Sequence, residues 1–123
     1  MPVLADTPDL AELQRYVAEM KRERGFSTDD RIAECFLLGE EVGELFKAVR
    51  KSEGWRLTDH KRAESVGEEL ADCLIYLLSI ANQHEIDLEA AFRAKEAKNE
   101  TRVWTHAPDQ TEQNETAATA NQE

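Results

Sequence analysis

Basic residues are in short supply in this chain: 15 lysines and arginines stand against 26 aspartates and glutamates, a formal net charge of -11 over 123 residues. Nucleic-acid duplexes are gripped mainly through Lys and Arg on their phosphates, so this balance argues against a duplex partner while leaving a small anionic ligand open. Cysteine is scarce too. Cys35 and Cys73 fall in separate apolar helical segments and read as packed free thiols of a reducing compartment rather than as a disulfide. No run reaches about 18 uninterrupted apolar residues, so no membrane span is expected. The N-terminus has no charged region followed by an apolar run; no signal peptide is expected, and the protein reads as cytoplasmic.

The most telling absence is local. Leu70 to Gln83 contains no Lys or Arg, yet Glu69 and Asp72 sit at the start of this apolar stretch, with hydrophobic side chains almost all the way round. An unpaired ionised carboxylate there costs on the order of several kcal/mol unless its pKa rises or a cation approaches. A second acidic pair, Glu41 and Glu44, lies in an earlier apolar helix. At about 100 degrees per residue, Glu41 falls inside the apolar arc of Leu37, Leu38, Val42, Leu45, Ala48 and Val49, with Glu44 about 60 degrees away at its edge. On the later helix Glu69, Asp72, Tyr76 and Ile80 share one face. A lone E-x-x-E usually just faces water. Two such pairs on apolar helices, one with a tyrosine on the same face, point instead to a divalent cation. Hard Mg2+, or Mn2+, accepts carboxylate oxygens, keeps waters and recruits phosphates, turning an acidic cluster into a phosphate receptor.

Helical spacing accounts for nearly the whole chain. After a loose leader to Pro8, Asp9 starts an amphipathic helix to about Arg24, with Leu10, Leu13, Val17 and Met20 on one face and Gly25 ending it. Residues from Ser27 to Asp30 offer caps for a second helix, about Asp30 to Lys51. Ser52 to Asp59 reads as a loop with Gly54 as breaker and Trp55 as its one large apolar group, suited to a base, a partner subunit or a loop anchor, and a third helix follows from about His60 to Glu85. Asp87 caps a fourth, from Leu88 to about Arg102. From Thr105 onward nothing apolar larger than Ala occurs, so residues 105–123 read as a disordered polar tail behind one domain, residues 1–104. With no convincing strand, the fold class is all-α, a four-helix bundle. Gly39 and Gly43, one turn apart, read as sites of close helix packing. The third helix is apolar over more of its circumference than one small bundle can cover, which predicts a homo-oligomer.

The fourth helix changes character along its stripe: Leu88 and Phe92 give way to Lys95, Asn99 and Arg102, all near one line. Basic groups there complement the negative end of the helix dipole, and they are also suited to phosphate oxygens, Lys as a point charge and Arg as a fork.

The segments LLGEEVGELFKAV, GEELADCLIYLLSIA and KEAKNETR together resemble the all-α nucleoside triphosphate pyrophosphohydrolases of the MazG superfamily, and look most like its small dCTP pyrophosphatase type. The resemblance covers about Leu10 to Trp104. It implies that Glu41, Glu44, Glu69 and Asp72 bind magnesium in a dimer or a dimer of dimers. The implied reaction is hydrolysis of (deoxy)nucleoside triphosphates to monophosphate and pyrophosphate, a cleaning of the nucleotide pool. It further implies that Glu40 holds a further metal or the attacking water, that Phe26 and Tyr76 meet the nucleotide, and that Lys95, Asn99 and Arg102 face its phosphates. A histidine of the dCTP type is replaced near Asp29 or Asp30, so the base preference stays open. Rival readings are a phosphoribosyl-ATP pyrophosphohydrolase and a noncatalytic metal-binding helical interaction module. A ferritin-like di-iron bundle fits poorly, because no His has a Glu three residues before it.

Overall fold

Each helix begins where a side chain can satisfy the first orphaned amides. The computed structural model describes residues 1–26, 29–54 and 65–102, and within them the chain forms α1 (Leu10–Glu23), α2 (Arg31–Ser52), α3 (Val66–Gln83) and α4 (Leu88–Glu100), with no strand among the described residues. Asp9 caps α1 in a capping box: its carboxylate accepts from the Glu12 amide at 2.8 Å, and Glu12 in turn accepts from the Asp9 amide. Asp30 and Asp87 accept from the amides of Ala33 and Ala90 at the starts of α2 and α4.

The third helix starts later than its spacing suggests. Ser65 sits in extended backbone (φ -70°, ψ 158°) as the N-cap of α3, exchanging hydrogen bonds with Glu68 in a second capping box. Ser65 thus stands outside the helix, and α3 begins at Val66. Residues 55–64, with Trp55, and residues 103–123, which include the expected tail, lie outside the described residues.

Both helices that lead into the pocket region end in the same way. After α1, Gly25 takes a left-handed φ of 73° while the amides of Gly25 and Phe26 donate back to the carbonyls of Arg22 and Lys21. After α3, Glu85 does so at φ 53°, with Glu85 and Ile86 donating to Asn82 and Ala81. This is the Schellman arrangement, which satisfies carbonyls the helix cannot. At Gly25 the absence of a Cβ makes it unstrained.

The packing is built on α3. It lies against α2 and α1, and α4 packs on α1. Val17, Met20 and Leu78 form the buried centre, with Leu10, Leu13, Tyr16, Ile75 and Leu88 around them. A polar clamp ties the ends together. The Gln14 side chain donates to Asn82 Oδ1 (3.1 Å) and to the Ile86 carbonyl (2.8 Å), and accepts from the Leu88 amide (3.0 Å). Asn82 returns a bond to the Gln14 carbonyl at 2.8 Å.

Much apolar surface stays uncovered by the single chain. On α2 Ile32, Phe36 and Phe46 are exposed, and they share a stripe with Gly39 and Gly43 at i, i+4, i+7, i+11, i+14 spacing. Among the described residues a Cβ placed on either glycine would meet nothing within 4 Å, so neither supports close packing between the described helices, contrary to expectation. On α3 Leu70, Leu74 and Leu77 are likewise exposed. Cys35 belongs to the exposed surface of α2 and corrects the expectation of two buried thiols; Cys73 is buried, and both are free.

Candidate active site

The inward stripe of α2 runs Glu34, Leu38, Glu41, Leu45 and Ala48, each buried or half-buried. Two of its five positions are acidic. Across from it α3 presents Glu69, Asp72 and Tyr76 from one face. Carboxylate oxygens of Glu41, Glu69 and Asp72 come within 4.8 Å of one another, Glu69 being buried and the other two half-buried. Helical rotation explains the grouping. Three residues on from Glu41, Glu44 lies about 60 degrees round the axis, is exposed, and stands outside this cluster. Glu40, rotated the other way, is also exposed.

An all-oxygen donor set carrying three formal charges suits a hard divalent cation, which would fill its remaining positions with water or phosphate oxygens. Mg2+ and Mn2+ both meet that description. Burial first, then the charges of Glu41, Glu69 and Asp72, push the thiol of Cys73, beside Asp72 in sequence, up from 9.0.

Next to the cluster opens a cavity of about 270 Å³ that Glu41 and Asp72 line together with Phe26, Tyr76, Lys21 and Glu34. Burial raises the Tyr76 hydroxyl above its ordinary value of 10.0, reinforced by the charges of Glu34, Glu41, Asp72 and Glu40. Tyr76 is thus a neutral ring with an O–H donor. Phe26, 58% exposed, is held at the rim by the Schellman turn ending α1. Arg24 adds a cation to the wall.

Lys95, Asn99 and Arg102 do not join this cavity. Lys95 and Arg102 are exposed and Asn99 half-buried, on or just beyond a helix that packs on α1. None of the three lines the cavity of the carboxylate cluster.

Two residues escaped the sequence reading. Lys21 and Glu34 are 6% and 5% exposed and form an ion pair between α1 and α2. The Lys21 ammonium also lies 5.7 Å from the centre of the Tyr76 ring, within range of a cation–π attraction. A signal existed. Leu10, Gln14, Val17 and Lys21 follow i, i+4, i+7, i+11 on α1, so two polar residues interrupt an apolar stripe just as Glu41 interrupts that of α2.

Comparison with known proteins agrees with this architecture. Residues 33–105 match the family model described as the MazG nucleotide pyrophosphohydrolase domain. Among solved structures the chain is similar to iMazG from Vibrio DAT 722, at 34% identity and a TM-score of 0.61, covering 76% of this chain and 100% of that one. It is also similar to YPJD from Bacillus subtilis, which carries a provisional pyrophosphatase assignment, at 28% identity and a TM-score of 0.67, over 80% of this chain and 100% of that one. No match was found among curated proteins.

Proposed function

The chain belongs to the MazG nucleotide pyrophosphohydrolase domain family, and from that membership we propose that it hydrolyses (deoxy)nucleoside triphosphates between the α and β phosphates, releasing nucleoside monophosphate and pyrophosphate. The observation that carries this reading is the juxtaposition of three carboxylates within 4.8 Å with a cavity walled by Phe26, Tyr76, Lys21 and Arg24. A polyphosphate and a planar base need different surroundings, and this region offers both.

Glu41, Glu69 and Asp72 would hold the divalent cation, with Glu44 at the exposed edge available to a further ion or its waters. Bound Mg2+ would neutralise polyphosphate charge and make a water more acidic. Glu40, exposed beside Glu41, is the carboxylate assigned to orient the attacking water and take its proton as the water oxygen bonds to the α phosphorus and the pyrophosphate leaves. Arg24 supplies positive charge at the cavity wall for phosphate oxygens. Phe26 and Tyr76 provide apolar faces for the base. Lys95, Asn99 and Arg102 lie on another part of the single chain; in a homo-oligomer they would face the phosphates of a neighbouring site. The exposed stripes of Ile32, Phe36 and Phe46 and of Leu70, Leu74 and Leu77 support such an oligomer. A cytoplasmic setting suits its two free thiols, and no described helix is long and apolar enough to cross a membrane.

Incubation of the purified protein with Mg2+ and a panel of nucleoside triphosphates, with products resolved chromatographically, tests the reading. Monophosphate and pyrophosphate should appear in equal amounts. The Asp72→Asn variant should lose at least about 100-fold in kcat/KM, the order of loss seen when a group stabilising charge in the transition state is removed, with its helical circular dichroism intact. Release of inorganic phosphate instead, or no turnover of any nucleotide, would overturn it.

A further inference from the structure

A buried ion pair is a weak source of stability, because desolvating the two charges offsets most of their attraction and apolar residues of similar volume often serve as well. Lys21 and Glu34 are nonetheless buried together, joining α1 to α2 at the wall of the cavity beside the carboxylate cluster. The pair fixes the position of a charge. With Glu34 anchoring it from α2, the Lys21 ammonium sits 5.7 Å from the centre of the Tyr76 ring, within range of a cation–π attraction that strengthens as water is excluded.

Tyr76 has little else to orient it. It makes no hydrogen bond and no other ring contact with any described residue. A half-buried ring on the edge of a cavity of about 270 Å³ has room to change from one staggered rotamer to another. Its placement also matters to the site. Tyr76 follows Asp72 by four residues on the same face of α3, so a change of rotamer moves the ring relative to the carboxylate cluster.

We propose that Lys21, held by Glu34, is a positioning residue that selects the Tyr76 rotamer able to receive a nucleotide. Neither member of the ion pair has to touch the ligand. The proposal rests on the hydrolase reading for the ligand being a nucleotide, whereas the choice of rotamer is a property of the chain alone. Three measurements separate the two. Kinetics in Mg2+ use whichever of dATP, dCTP, dGTP and dTTP is hydrolysed best, calorimetry in Mg2+ uses the four corresponding monophosphates, and three-bond couplings to Tyr76 Cγ in isotope-labelled protein report its χ1 rotamers.

Lys21→Met keeps the length of the side chain and removes the charge. A ring that spends only part of its time in the receptive rotamer weakens apparent affinity by that fraction. KM should therefore rise by about 5- to 30-fold, the ratio a cation–π contact corresponds to, with kcat within about twofold of wild type. Partial unfolding has the opposite signature, since fewer active molecules lower the apparent kcat and leave KM alone. In a Tyr76→Leu background the same substitution should change KM by less than about twofold, because the group through which Lys21 acts is gone. The couplings should show one rotamer in the wild type and a mixture in Lys21→Met. Should Lys21→Met fold poorly because Glu34 is left buried without its counter-charge, Lys21→Met combined with Glu34→Met removes both charges together and should show the same rise and the same mixture.

An unchanged KM in the folded variants, an equal rise in the Tyr76→Leu background, or a single rotamer retained without the ammonium would overturn the proposal. If no triphosphate is turned over, weaker monophosphate binding together with mixed rotamers in the variant would uphold positioning while the hydrolase reading falls. Pyrophosphate release with an unmoved KM would do the reverse. Neither turnover nor nucleotide binding by the wild type would remove both.

Discussion

Removing one charge from the carboxylate cluster should make the metal-free protein more stable, not less. Glu69 is the member to change, because it is 3% exposed while Glu41 and Asp72 retain some solvent. The carboxylate oxygens lie within 4.8 Å of one another, and at an effective dielectric of about 20 two unit charges at that limit repel by about 3.5 kcal/mol. Glu69 faces two such neighbours, but solvent, counter-ions and the other groups that meet Glu41 and Glu69 reduce the sum. A net gain of about 1–3 kcal/mol for Glu69→Gln in EDTA is the reasoned expectation. The amide keeps the size of the side chain and a carbonyl acceptor, so packing changes little. Thermal unfolding reads the effect at about 4 °C per kcal/mol for a domain of this size. Addition of Mg2+ should reverse the order. At about 100 times its Kd the ion stabilises the wild type by about 2.7 kcal/mol, whereas the variant, short of a ligand, should gain far less. A variant less stable than wild type in EDTA, with the same response to Mg2+, would show that these three oxygens neither repel one another strongly nor share an ion.

Three other outcomes are expected. Replacing Gln14 with Leu strands the Ile86 carbonyl and the Leu88 amide and should cost about 2–3 kcal/mol, seen as a lower urea midpoint with an unchanged slope. In a Tyr16→Phe background, tyrosinate absorbance should rise only above 10.0, because burial and then the charges of Glu34, Glu41, Asp72 and Glu40 hold the proton on Tyr76. Because the folded-state value is raised, this group's stabilisation is complete below pH 10 and drains away as pH climbs through the folded value, so chemical denaturation should show stability falling in that window. Sedimentation at low micromolar concentration should give at least twice the chain mass of 14.0 kDa, and Phe36→Glu, which puts charge on the exposed α2 stripe, should shift the protein toward the single-chain mass; a wild type already at that mass would refute the oligomer.

Local signals were legible because they act over a few residues. Asp9 and Asp87 cap the helices they were expected to cap, Asp30 is the one of the candidates from Ser27 to Asp30 that caps the second, and Gly25 closes the first. Ser65 was missed although Ser65 and Glu68 have the spacing of a capping box, since the residues before it, from His60 to Glu64, continue a helix-compatible composition. The juxtaposition of Glu41 with Glu69 and Asp72 could be anticipated from acids interrupting apolar stripes. The partnership of Lys21 with Glu34 could not: it depends on how α1 and α2 both lean on α3, and helical periodicity carries no information about which stripe faces which. For the same reason Cys35, Gly39 and Gly43 looked internal in sequence, where an apolar stripe reads alike whether it is destined for a core or for a second molecule.

The Gln14 clamp bears on more than the termini it joins. Lys21 lies seven residues further along the same helix, about 10 Å along its axis, and sliding α1 by one residue would swing that ammonium through about 100 degrees and out of the cavity. Three hydrogen bonds of one glutamine side chain, two donated to Asn82 and Ile86 and one accepted from the Leu88 amide, oppose that slide. A neutral amide at the far end of the rod thus acts as its indexing pin, and a substitution there would detune the cavity floor without touching any residue that lines it.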